Sequence, residues 1–185
     1  DALLIASGRQ PATASLHPEN AGIAVNERGA IVVDKRLHTT ADNIWAMGDV
    51  TGGLQFTYIS LDDYRIVRDE LLGEGKRSTD DRKNVPYSVF MTPPLSRVGM
   101  TEEQARESGA DIQVVTLPVA AIPRARVMND TRGVLKAIVD NKTQRMLGAS
   151  LLCVDSHEMI NIVKMVMDAG LPYSILRDQI FTHPS

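Results

Sequence analysis

The sequence predicts a mixed α/β protein in two parts, and three observations predict it. Over residues 1–84, short apolar runs end at glycines and lead into one long periodic segment, the pattern of strands feeding a helix in an open α/β sheet. Glu74 to Asn84 is charged and lacks hydrophobic periodicity, which marks a linker. Over residues 85–185, strand-like runs are interleaved with helical ones, an α+β pattern of about 100 residues, a common small-domain size.

Each element has its own signal. Leu3 to Ala6 is an apolar run closed by Ser7-Gly8, as expected of a short buried strand. Arg9 to Glu19 is polar with two prolines and predicts a loop. Ile23 to Val25 and Ile31 to Val33 flank Asn26-Glu27-Arg28-Gly29, which reads as a hairpin. Ile44 to Met47 is the next expected strand. From Phe56 to Leu72 the residues Ile59, Ile66, Val67 and Leu71 recur at near-helical spacing until Gly73 stops the helix. Beyond the linker, Tyr87 to Met91 reads as a strand. Thr101-Glu-Glu-Gln104 is a capping box, so a helix runs from there to Gly109. Ile112 to Leu117, Gly133 to Val139 and Arg145 to Val154 are strands, the last two joined by the turn residues Asp140 to Thr143. Ser156 to Ala169 is a helix apolar on most sides, ended by Gly170, and Pro172 opens another in the favoured first-turn position.

Composition narrows the function classes. With 43% hydrophobic residues the 185-residue chain can build a core, and its net charge of −3 leaves no basic stripe for nucleic acid. No apolar run approaches the length needed to span a membrane. The single cysteine, Cys153, excludes an internal disulfide or a CxxC site and suits a reducing, cytoplasmic setting. The chain opens in what reads as the middle of a strand and closes abruptly at Phe181-Thr-His-Pro-Ser185, so a piece of a longer protein is expected.

The most informative run is Thr39 to Val50. An apolar segment stops at Gly48 and presents one carboxylate, Asp49, before Thr51-Gly52-Gly53 and the long helix. A carboxylate there, beside a glycine that permits close backbone approach, suits a polyol such as a ribityl or ribose chain. A turn or helix-capping role is the plainer use of such an aspartate.

Four blocks, in order, resemble the flavoprotein pyridine nucleotide-disulfide oxidoreductases, the family of glutathione reductase, dihydrolipoamide dehydrogenase and mercuric reductase. Ala6-Ser-Gly-Arg-Gln-Pro11 resembles the loop that ends the NAD(P)-binding domain. Ile31-Val-Val-Asp34 through Ile44-Trp-Ala-Met-Gly-Asp-Val50 resembles the second FAD motif. Val89 to Glu102 resembles the opening of the interface domain, and Thr182-His-Pro184 the C-terminal His-Pro signature. The sequence is most similar to the mercuric-reductase-like branch, including flavin reductases linked to reactive-chlorine resistance.

The resemblance implies a layout: residues 1–84 as the C-terminal portion of an FAD/NAD(P)-binding region, and 85–185 as an α+β dimerisation domain with a mainly antiparallel sheet, truncated at its C-terminus. It implies FAD as cofactor, NAD(P)H as electron donor, a homodimer through 85–185, and a small-molecule or metal-ion electron acceptor. Asp49 would accept hydrogen bonds from the ribityl hydroxyls, with Gly48 beside it. Thr57, at the start of the following helix, would lie where the helix end faces the flavin pyrimidine ring. Gln55, Phe56 and Tyr58 share that turn and would supply contacts, although loop and core roles suit them equally. His183 would be a general acid/base toward a cysteine pair of the other subunit.

Other residues carry less. Arg9 would lie near the dinucleotide, but a solvated arginine is the default. Val89 and Phe90 are expected in a strand core, and Cys153 reads as a small buried hydrophobe. His157 and Glu158, adjacent and therefore on different helix faces, suit capping or an interface better than a metal. Met159, Met165 and Met167 suit core or dimer packing, and no metal site is expected. Alone, the chain is expected to be inactive and to carry no flavin, since it shows neither a Gly-x-Gly-x-x-Gly loop nor a cysteine pair. A non-catalytic dimerisation module with a residual nucleotide-fold segment is the alternative from another class.

Overall fold

The computed structural model describes residues 2–185 and divides into two compact units, Asp1–Arg82 and Lys83–Ser185. In the first unit the periodic segment forms helix α1, Thr57–Leu72. Its inward stripe is Ile59, Asp63, Ile66 and Val67, at the spacing that keeps residues on one helix face. Ile66 and Val67 pack with Leu37, and Val33 and Trp45 close over them.

The strands expected in this unit are not formed. Leu3, Leu4 and Ile5 are exposed and unpaired. The hairpin reduces to one bridge between Val25 and Ile31, around a turn in which Asn26 Oδ1 accepts from the N–H groups of Arg28 and Ala30. Ile44 to Met47 likewise contributes one bridge, Trp45 to His38. An apolar run becomes a strand only where a neighbour satisfies its backbone groups, and among the described residues these runs find at most one pairing each.

The charged linker is bound down rather than free. Asp69 accepts backbone N–H bonds from Lys76 at 2.8 Å and Arg77 at 2.9 Å. Arg77 and Arg82 both reach Asp62, Arg82 also reaches Asp63, and Lys35 pairs with Asp80 at 2.6 Å. Ser78 and Asp81 cap a short 3-10 turn at Thr79–Asp81. Polar contacts hold this stretch, which is why apolar periodicity does not reveal it.

The second unit is built on a five-stranded sheet of β1 (Tyr87–Val89), β2 (Leu95–Gly99), β3 (Ile112–Pro118), β4 (Val134–Asp140) and β5 (Met146–Leu152). The spatial order is β1-β2-β5-β4-β3, and every neighbouring pair is antiparallel. Helix α2 (Glu102–Glu107) starts at the expected capping box, with Thr101 Oγ1 accepting from Gln104 N and Gln104 Oε1 from Thr101 N. Asp140 Oδ1 accepts from Lys142 N and Thr143 N and closes the β4–β5 turn. Helix α3 (Pro123–Val127) and strand β2 lie in stretches without a clear periodic signal. Helix α4 (Ser156–Asp168) packs on β2 and β5. Its Ile160 joins Val98, Val119, Ala149, Leu151 and Cys153 in the core, with Met159 and Met167 packed against them, while Met165 is exposed. Helix α5 (Ser174–Asp178) starts two residues beyond Pro172, whose backbone instead bridges to Arg145.

Two details fix how α4 sits. Gly99 and Gly148 face each other across β2 and β5. A Cβ on Gly148 would fall 2.1 Å from Met100 O, and one on Gly99 would fall 2.3 Å from Leu147 O and 2.6 Å from the Met167 methyl. A chain of hydroxyls runs from Ser88 to Ser96 (2.7 Å) to Ser156 (2.9 Å), and Ser156 donates to Pro94 O at 2.9 Å. Ser88 thus faces Ser96, which puts Val89 on the opposite face of a three-residue edge strand. Val89 and Phe90, expected in a core, are 48% and 78% exposed. No helix among the described residues is long and apolar enough to cross a membrane.

Candidate functional site at the Gly48–Asp49 turn

Because Ile44 to Met47 is not a strand, Asp49 sits in a 3-10 turn, Gly48–Thr51, rather than at a strand end. Met47 enters extended, and Gly48 takes a positive φ of 76°, which favours glycine. A Cβ there would lie 3.0 Å from Ser60 Oγ, so the turn packs closely on α1. Thr51 Oγ1 donates to Gly48 O at 2.9 Å, and Gly52 N donates to Asp49 O at 3.1 Å.

The Asp49 side chain is 53% exposed and faces Arg9 at 3.6 Å. Both groups are solvated, so the pair contributes little, and the carboxylate stays available as an acceptor. The turn leads through Gln55 and Phe56, both half-buried, into exposed Thr57 at the first position of α1. Phe56 precedes the helix without a side-chain cap. Its ring stacks on Tyr58, with centroids 5.1 Å apart and planes within 8°. Burial pushes the Tyr58 hydroxyl pKa above its ordinary value. Gly48, Asp49, Gln55, Phe56 and Thr57 therefore lie on one short stretch of chain that runs from an open carboxylate to a helix N-terminus. A carboxylate accepts from hydroxyls, and a helix N-terminus favours negative charge. The residues present suit a polyol chain joined to an electron-accepting ring.

Behind this stretch lies a group that apolar periodicity did not single out. Asp63 is 2% exposed, accepts from Gly48 N at 2.7 Å through Oδ2, and pairs with Arg82 through Oδ1. Burial opposes charge on Arg82, but the hydrogen bonds it donates to Asp62 and Asp63 outweigh it and raise its pKa above the ordinary value. The sequence does carry a signal for this: a carboxylate stands at a position of the α1 stripe that should be apolar, and such a group needs a cationic or N–H partner.

His183 belongs to the second unit and is exposed near the chain end. Pro184 and Ser185 line an apolar cavity there with Val119, Ile122, Cys153 and Met159. Burial, then the carboxylates of Asp155 and Asp130, push the Cys153 thiol pKa upward. His157 packs against exposed Phe90, ring centroids 5.5 Å apart. Among the described residues, no group of three His, Cys, Asp or Glu side chains is placed to hold a metal ion.

Comparison with known proteins bears on this arrangement. Residues 85–185 match the profile of the pyridine nucleotide-disulphide oxidoreductase dimerisation domain, and residues 1–63 match that of pyridine nucleotide-disulphide oxidoreductase. Mercuric reductase from Staphylococcus aureus is 37% identical over 178 residues, covering 96% of this chain and 32% of that protein. Mercuric reductase from Bacillus cereus is 37% identical over 176 residues, covering 95% and 28%. The solved Cu(II) complex of the HOCl-induced flavoprotein disulfide reductase RclA from Escherichia coli is similar at 99% identity and a TM-score of 0.98, over 100% of this chain and 43% of that one. LpdA from Mycobacterium tuberculosis, at 24% identity and a TM-score of 0.87 over 98% and 39%, shares the fold. The chain thus spans about a third of the length of these mercuric reductases. With its dimerisation-domain profile extending over more than half its length, the chain belongs to the pyridine nucleotide-disulphide oxidoreductase family.

Proposed function

We propose that this chain is part of an FAD-dependent oxidoreductase. In this reading electrons pass from NAD(P)H, through flavin and a cysteine pair outside the chain, to a disulfide, metal ion or related acceptor in the cytoplasm. Residues 1–84 complete the FAD/NAD(P)-binding region, and residues 85–185 form the dimerisation domain through which two copies associate. The observation that carries the reading is the half-open Asp49 carboxylate on a turn packed against the first turn of α1. The likeness to a flavoprotein disulfide reductase supports it.

When bound, FAD supplies the two-electron chemistry. The chain's residues do the rest. Asp49 accepts from ribityl hydroxyls, and Gly48 leaves space for the backbone to come close. The first turn of α1 at Thr57 stabilises negative charge on the ring, and Gln55 and Phe56 flank it. His183 holds and passes a proton at the sulfur of a cysteine thiolate on the other subunit, a task suited to an imidazole. By itself the chain is inactive in this reading.

The test is Asp49→Ala in a full-length flavoprotein carrying this chain. Charge-assisted hydrogen bonds are each worth about 1.5–3 kcal/mol, so flavin affinity should fall about 10- to 100-fold and the protein should purify largely colourless. Retention of flavin at the wild-type ratio would overturn the reading.

A further inference from the structure

We propose that Asp63 and Arg82 are positioning residues that hold the Gly48–Asp49 turn in the shape that receives the ribityl chain; this rests on the flavin reading above. A carboxylate loses more on leaving water than one hydrogen bond returns, so a buried one persists only where both oxygens are partnered. Asp63 meets that condition. One oxygen takes the guanidinium of Arg82, and the other takes the N–H of Gly48 at 2.7 Å. Arg82 is itself aimed by Asp62, whose Oδ2 lies 2.7 Å from Nε. Asp62 also holds Arg77 at 2.9 Å, so the two arginines are fixed relative to α1.

The Gly48 N–H immediately precedes Asp49 in the chain. Its bond to Asp63 is the one tie between the entry of the turn and the buried face of α1 among the hydrogen bonds described. Thr51 and Gly52 close the turn on itself, but neither anchors it to the helix. The far end of the turn is held by Ile31 N–H on Val50 O at 3.0 Å, but Gly48 has no side chain to wedge in place, so without Asp63 the entry of the turn is released. Asp49 then swings relative to Thr57. Arg82 acts one step further back. It holds Asp63 turned inward through the ion pair, so that the oxygen facing Gly48 stays where it is.

Three variants in the full-length flavoprotein, with Asp49→Ala as reference, test this. Asp63→Ala removes the acceptor for Gly48 N. Asp63→Asn keeps an oxygen there and so is the conservative rescue. Arg82→Gln leaves the acceptor and removes the ion pair. Flavin affinity is measured by titrating the apoprotein at a temperature where Trp45 fluorescence shows each variant folded. Gly48 amide hydrogen exchange is measured in the flavin-free protein as a readout independent of turnover.

Asp63→Ala should weaken FAD binding by about ten-fold and speed Gly48 exchange by a similar factor, whereas Asp63→Asn should stay within about three-fold of wild type on both. Arg82→Gln should weaken FAD binding by at least about three-fold. Folded Asp63→Ala with wild-type flavin affinity, or equal losses in the alanine and asparagine variants, would overturn the positioning role. If Asp63→Ala does not fold, Arg82→Gln decides: an unchanged affinity overturns the proposal and a raised Kd supports it. If Asp49→Ala itself keeps its flavin, the reading beneath fails; if only Asp49→Ala loses it, the positioning role alone fails.

Discussion

Removing the hydroxyl of Ser156 should cost the second unit far more than one small polar group suggests. Ser156 donates its only hydroxyl proton to Pro94 O, so the 2.9 Å contact to Ser96 must have Ser96 as donor, and the 2.7 Å contact beyond it must have Ser88 as donor. The chain is directional, and Ser96 and Ser156 are both 0% exposed. Ser156→Ala therefore strands the Ser96 proton where water cannot reach it, and leaves the Pro94 carbonyl with the Cys153 N–H alone, at 3.2 Å. Each buried unsatisfied group costs about 1–3 kcal/mol. With one group stranded the loss is about 1–3 kcal/mol, a sizeable share of the roughly 5–15 kcal/mol that stabilises a domain. The double variant Ser96→Ala/Ser156→Ala removes the orphaned donor as well, so it should cost at least about 1 kcal/mol less than the two single losses added. Urea unfolding followed by far-UV circular dichroism gives all three values. A Ser156→Ala loss under about 0.5 kcal/mol, or strict additivity within that margin, would refute the directional chain.

Three further outcomes follow from particular groups. In the full-length flavoprotein, His183→Ala should slow dithiol-dependent turnover by about 10²–10⁴-fold while flavin reduction by NAD(P)H persists; equal loss in both half-reactions would remove the proton-transfer role. Cys153 is buried with its thiol pKa raised, so alkylation by iodoacetamide in the native state should be at least about 100-fold slower than in urea, and mass spectrometry showing equal rates would contradict its burial. For Asp34, burial pushes the carboxyl pKa upward, but N–H bonds from His38 and Arg36 and the His38 side chain outweigh it and hold the pKa low. A depressed folded pKa means its stabilisation is complete above an unfolded value of about 4 and drains away as pH falls below that. Asp34→Asn should therefore flatten the acid limb of thermal stability below about pH 4, and an unchanged limb would argue against it.

How much was legible depended on which force held each element. The capping box at Thr101–Gln104 and the periodic stripe of α1 announce themselves because the same residues that signal the element also stabilise it. The antiparallel strands β3, β4 and β5 were readable for the same reason. Leu3–Ala6 and Ile44–Met47 carry an equally good apolar signal, but a strand is a pairing, and its neighbour is not written in its own residues. The turn bearing Asp49 was visible through Gly48, whose backbone freedom is a local property. Asp63 was not, because its meaning lies in Arg82, 19 residues on, and in an N–H 15 residues back. Phe90 misled: an aromatic inside an expected strand over Tyr87 to Met91 reads as core, yet the strand ends at Val89 and the ring lies on His157.

The bare spot where Gly99 opposes Gly148 works as a keyhole, and the Met167 thioether is its key. The seat of the Met167 tip thus exists because an atom is missing at Gly99. Were Gly99 to gain a methyl group, the tip of Met167 would be turned out and the Leu147 carbonyl would still stand in the way; at Gly148 the collision is with the Met100 backbone. A strand glycine thereby reserves room for a side chain that the helix sends down to it.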